Sequence, residues 1–300
     1  MTGQDLRRRR GKADATVRLE QAIIEIVDER HPITVRGVCY ALFTKGMLPD
    51  MSVNSTGKIS RVMTDMRECD MLEWTHVVDG SRAVDRSNSW SDPSAIIAAA
   101  VRGYRRDNWQ DQPRLVEVWS EKSTVQGVLQ PVLDDLGVTF RVMKGFGSFT
   151  AVRQAAEDSL ELPAHVDGVV LYVGDWDASG LYMSAMDLPA RLTRYGSQWQ
   201  FRRIALIRDD LDGLPHFPTS TKSGDVRLEW YLQNTTADPK KCWELDAMDP
   251  NALRQRVQSE IQALMDMDAW RHALVVERAQ RDSMDRFHQA WNSHLQSGAR

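Results

Sequence analysis

Three acidic residues stand where chemistry is possible. Glu121 follows the short apolar segment Leu115–Trp119, and Asp175 and Asp177 follow the apolar run Val169–Val173. Carboxylates gathered in one place repel each other unless a cation joins them. Hard oxygen ligands with room for water and phosphate suit Mg2+. One or two such ions stabilise the charge on a phosphodiester during displacement. Asp175-Trp-Asp-Ala-Ser-Gly180 also makes a good turn and helix start. The pair alone therefore reads as metal binding or as turn chemistry equally well. Glu121, two strands upstream in the same sheet, favours the metal.

A second constellation is Arg36 and Tyr40, four residues apart on an expected helix, hence about 40° apart around it. The apolar stripe of that helix runs through Val35, Cys39 and Leu42. Tyr40 is displaced from its centre by about 130° and is not an obvious core residue. A phenol beside a guanidinium is expected to ionise more easily, and the arginine could hold a phosphate under attack. The plainer alternative is a surface tyrosine stacked under an arginine, which the pattern alone favours.

The elements that must position these residues follow from periodicity. Val17 to Glu29 repeats apolar residues at helical spacing and stops at His31-Pro32. Thr34 can cap a second helix through about Phe43. A third, about Ser55 to Cys69, buries Ile59, Val62, Met63 and Met66 and turns Lys58, Ser60 and Arg61 outward. Leu72–Val78, Asp79-Gly80 and a segment with Arg82, Val84 and Arg86 read as a hairpin. Three helices and a hairpin make an α+β winged helix over residues 15–91, its third helix suited to the major groove and its wing to the DNA backbone. Residues 1–14 form a basic arm, and residues 92–112 a linking helix. From 113 to 250 strands alternate with helices, which gives an α/β domain with a mainly parallel sheet. Residues 251–300 are a helical extension.

The bulk numbers set bounds. The chain has 300 residues and a net charge of −4, with a slight basic excess before residue 110 and an acidic excess after it. That suits a DNA-facing front and an acidic back, and equally a bland surface. Cys39, Cys69 and Cys242 form neither a metal-ligand pattern nor a disulfide framework. No membrane span or secretory signal is legible, so a cytoplasmic, nucleoid-associated protein is expected. Gly145-Phe-Gly147 is weak evidence for a nucleotide loop. Glu244-Leu-Asp246 reads as an extra acid pair near the metal or as a helix start.

Val116-Glu-Val-Trp-Ser-Glu121-Lys122 and Leu171-Tyr-Val-Gly174-Asp175-Trp-Asp177-Ala-Ser-Gly180 together resemble the Toprim domain of topoisomerases, primases and OLD-type nucleases. A winged helix joined to a Toprim domain in this order resembles the A subunit of type IIB topoisomerases (topoisomerase VI) and the meiotic Spo-eleven proteins. Thr34-Val-Arg36-Gly-Val-Cys-Tyr40 matches the spacing of that family's arginine and nucleophile. Cys39 departs from the aromatic residue often found before the tyrosine, and the chain is shorter than a usual A subunit, as in a minimal, mobile-element-type relative. The resemblance spans residues 17–250 and implies a set of roles. Glu121, Asp175 and Asp177 would hold Mg2+, and Tyr40 would attack double-stranded DNA with Arg36 beside it. Lys58, Arg61, Arg82 and Lys122 are the candidate DNA contacts. A homodimer is implied, because the tyrosine of one protomer works with the metal of the other. Strand passage would need a separate GHKL ATPase subunit, since no Walker-type loop occurs here. The alternatives are a Toprim nuclease that cuts with water, and a non-catalytic winged-helix DNA-binding protein of a mobile element.

Overall fold

A computed structural model describes residues 14–78, 89–143, 149–219 and 225–298, with side chains through Ser293. The N-terminal unit begins with α1 (Asp14–Arg30), β1 (Ile33–Thr34) and α2 (Val35–Thr44). Thr34 caps α2 as expected, its hydroxyl accepting from the Gly37 N–H at 2.9 Å. Ser52 likewise caps α3 (Val53–Glu68). The three helices close over Ile23, Ile26, Val38, Leu42, Ile59 and Met63.

Only part of the expected hairpin is a strand. Trp74–His76 is a single 3-10 turn, and β2 is just Val77–Val78. It pairs parallel with β1, placing Ile33 opposite Val77 and Thr34 opposite Val78. Asp79-Gly80 and the returning arm with Arg82 lie outside the described residues, as do the basic arm through residue 13 and Gly145-Phe-Gly147.

The linking helix α4 (Pro93–Gly103) is shorter than residues 92–112, and Asp92 caps it. It then leads into an α/β unit. This holds β3 (Arg114–Ser120), α5 (Thr124–Leu136), β4 (Thr139–Val142), α6 (Phe149–Leu160) and β5 (Asp167–Val173). A helical run follows as α7 (Ala178–Tyr182), one wide π turn and α8 (Leu188–Arg194), then β6 (Gln200–Ala205). The sheet order is β4-β3-β5-β6, every pair parallel.

Helices cover both faces, which is why β5 is apolar along its length. Val169, Leu171 and Val173 face the cluster that includes Leu129 and Leu133 of α5. Val170 and Tyr172 face the cluster of Ala155 on α6 and Leu192 on α8. Glu117, buried within β3, is a structural acid: Arg141 grips it at 2.8 and 2.9 Å, and the Trp119 indole N–H donates to it at 2.6 Å.

From β3 the chain passes outward to β4 and then back to β5 on the other side, so the topological switch lies between β3 and β5. Open α/β sheets form their sites at the carboxyl ends of strands at such a point. The remainder comprises β7 (Phe217–Pro218), α9 (Val226–Asn234), β8 (Lys241–Cys242), α10 (Pro250–Gln262) and the long α11 (Met267–Gly298). β7 and β8 pair antiparallel. α10 packs on α5 and β6, and α11 packs on α4. No helix among the described residues is long and apolar enough to cross a membrane.

Candidate functional site

Glu121 directly follows β3, and Asp175 and Asp177 follow β5. The switch point thus brings the three acids into electrostatic reach of one another. Glu121 makes no hydrogen bond or ion pair among the described residues. Burial, then Asp177 and Asp175, push its carboxyl above the usual range. Burial also raises Asp175, against the opposing pull of Lys122. Asp177 spends one oxygen capping α7, accepting from the Gly180 N–H at 2.6 Å. A cleft of about 360 Å³ opens beside it, lined in part by Ser179, Thr219, Arg227 and Cys242.

In kind these donors fit a divalent ion. A half-buried carboxylate with no hydrogen bond among the described residues and repelled by two neighbours is what a hard cation would neutralise. In placement they are not gathered: no three carboxylate, thiolate or imidazole side chains among the described residues are close enough to hold one ion.

Lys122, expected at the DNA, is drawn inward instead. Its Nζ lies 2.9 Å from Asp175 Oδ1, 2.9 Å from Asp246 Oδ2 and 3.8 Å from Glu244 Oε2. Those carboxylates outweigh the cost of burial and hold the ammonium's pKa above its ordinary value. The Leu245 N–H also donates to Asp175 Oδ1, at 2.7 Å. Asp246 reaches the helical unit by accepting from the Thr34 hydroxyl at 3.2 Å. Glu244 reaches it by a two-pronged ion pair with Arg36. The Glu244-Leu-Asp246 pair serves as the helix start that the sequence allowed. It opens a 3-10 turn at Leu245–Ala247 and stands beside the acids.

A main-chain bridge fixes this loop to the acids. Trp176 and Trp243 exchange two N–H···O bonds of 2.9 Å.

Tyr40 departs from expectation. It is only 2 % exposed. It lies off the apolar stripe as read, and it takes no part in the core of its own unit. It is buried instead against the α/β unit, where Phe217 meets its ring edge-on at 6.0 Å between centroids. The hydroxyl is enclosed and has no well-formed hydrogen bond among the described residues. Arg36 lies 5.7 Å from the ring centroid. It opposes the effects of burial and of Glu244, yet the net shift of the phenol is upward. The expectation of an easily ionised phenol is corrected: desolvation outweighs the arginine.

Lys58 and Arg61 are exposed on α3, where the sequence puts them, and Arg82 lies outside the described residues. Thr34 and Arg36 link the helical unit to Asp246 and Glu244 beside the acids.

One contributor escaped the sequence, and the structure shows why the glycine of the acid motif stands where it does. Arg203 on β6 lies partly buried under the acid loop, donating to the carbonyls of Gly174, Asp175, Gly180 and Leu206. Its one signal is a charge beside apolar Ile204 in a sheet strand. Gly180 is needed for room: a Cβ there would lie 2.4 Å from the Asp175 carbonyl oxygen. Comparison of the chain with protein-family models, curated proteins and solved structures found no match.

Proposed function

We propose that this chain binds double-stranded DNA and cleaves it with magnesium, in the manner of the type IIB topoisomerase A subunit it resembles, with Tyr40 as nucleophile. One observation carries the reading. A single ion-pair network runs from Arg36, one helical turn before Tyr40, through Glu244 and Lys122 to Asp175. The two constellations singled out for chemistry thus meet at one end of one sheet.

Glu121, Asp175 and Asp177 would hold the magnesium, which would supply positive charge at the phosphate. Arg36 has the fork geometry to grip a phosphate. The phenolic oxygen bonds to phosphorus, the bond to a deoxyribose oxygen breaks, and the phenolic proton ends on that oxygen. Tyr40 must first leave the cover of Phe217. A homodimer would let the uncovered tyrosine serve its partner's acids, and strand passage would call for a separate ATPase subunit.

The burial of Tyr40 favours a second reading: the same acids activate water, and the chain is a hydrolytic Toprim-like nuclease. The test is incubation with supercoiled plasmid and Mg2+, stopped with detergent, with and without protease. Broken DNA carrying protein, lost in Tyr40→Phe and in Asp175→Asn, is expected. Free ends that survive Tyr40→Phe but not Asp175→Asn would establish hydrolysis instead. Intact plasmid throughout would end both readings.

A further inference from the structure

Glu244 occupies a place shaped for a phosphate. The planar fork of Arg36 meets its carboxylate with two parallel N–H donors, Nε at 2.5 Å and Nη2 beside it. The same fork matches a phosphate equally well. Lys122 Nζ lies 3.8 Å from Oε2, the oxygen that also accepts from Arg36 Nε. One cation comes from the helical unit and the other from the end of β3. The enclosed hydroxyl of Tyr40 lies one helical turn from Arg36.

Charge counting separates Glu244 from its neighbours. Lys122 is already matched at 2.9 Å by both Asp175 and Asp246. Glu244, at 3.8 Å, adds a third carboxylate to a cluster whose ion-paired cations among the described residues are Lys122 and Arg36. A phosphate cannot join that cluster unless an acid leaves it. Glu244 is the one placed to leave, because its pair with Arg36 is open to solvent, the side chains being 26 % and 42 % exposed. Such pairs are weak and screened by salt.

We propose that Arg36 and Lys122 form a phosphodiester-binding site and that Glu244 fills it as an internal stand-in, which the DNA backbone must displace. The inference rests on DNA as the ligand but not on cleavage, so its test is made without magnesium.

Anisotropy of a labelled duplex is measured in chelator across a salt series, with the full chain. Wild type is compared with Glu244→Gln, Arg36→Ala and the double variant, each checked for fold by circular dichroism. Glu244→Gln is expected to bind about tenfold tighter at low salt, with a log–log salt slope steeper by about 0.9, one further phosphate contact. The gain should vanish in the Arg36→Ala background. Glu244→Asp, which keeps the charge but withdraws it by one methylene, should give an intermediate gain. Unchanged affinity in Glu244→Gln, or an equal gain with Arg36 removed, overturns the inference while leaving DNA binding intact. No duplex binding by any variant removes the DNA reading itself.

Discussion

At neutral pH the fold holds Glu121 where its charge is disfavoured, first by burial and then by Asp177 and Asp175. The sign of the consequence follows from linkage. A carboxyl whose folded pKa lies above its unfolded value, about 4.3 for glutamate, binds more protons folded than unfolded in the interval between. Stability therefore falls as pH rises through that interval, and above it the ionised group is a net cost. Glu121→Gln should raise the melting temperature at pH 7 in chelator by about 2 °C. The gain should shrink to nothing below the unfolded value, where both states carry the proton. A scan showing no gain at pH 7 would mean that the carboxylate is already compensated. At this scale the sequence was informative about residue types and silent about enclosure. Tyr40 was legible as a residue off its helix stripe, but the Phe217 that buries it lies far along the chain, in a strand too short to have a period.

Elements were most legible where both ends carry a stop and the middle a clear period. α5 and α6 run over Thr124–Leu136 and Phe149–Leu160, as their apolar spacing predicts. The strands within residues 208–249 were not legible, because two-residue strands such as β7 and β8 acquire their partners only through the tertiary fold. The loop from β5 to α7 shows how tightly one element sets another. Asp177 caps α7, and the first turn comes so close that the Asp175 carbonyl leaves no room for a Cβ at Gly180. Gly180→Ala should cost about 1–3 kcal/mol of stability, read as a lower urea midpoint with an unchanged slope. An unaltered midpoint would show that the loop gives way without strain.

α10 ties the helical unit to the α/β unit by reaching back across their seam. Arg254 donates to the carbonyls of Arg30, His31 and Pro32 at the start of the helical unit's strand, and to Val128 on α5. Gly127, on the same helix, lets α5 close on Val78, which would lie 2.8 Å from a Cβ there. Removing the guanidinium with Arg254→Ala should cost about 2 kcal/mol. It should also loosen cooperativity, so that the calorimetric enthalpy of unfolding exceeds the van't Hoff value. Equal enthalpies in the variant would assign the coupling to apolar contact alone. The order of the units was legible from the change in period near Pro113. Their mode of docking was not, since it depends on single polar side chains such as Arg254 and Glu244 whose targets are main-chain atoms or charges remote in sequence.

The bridge between Trp176 and Trp243 is made of amide groups. The pairing itself uses no side chain, while the two buried indoles anchor it in the core. The acid loop and the Glu244 loop are thus spliced into one frame even though nearly seventy residues of chain run between them. The intervening stretch closes back on that frame, since β6 places Arg203 under the acid loop and β7 places Phe217 against Tyr40. A graft that aims to carry the acids to another scaffold would have to take both loops, since neither keeps its shape or its neighbours without the other.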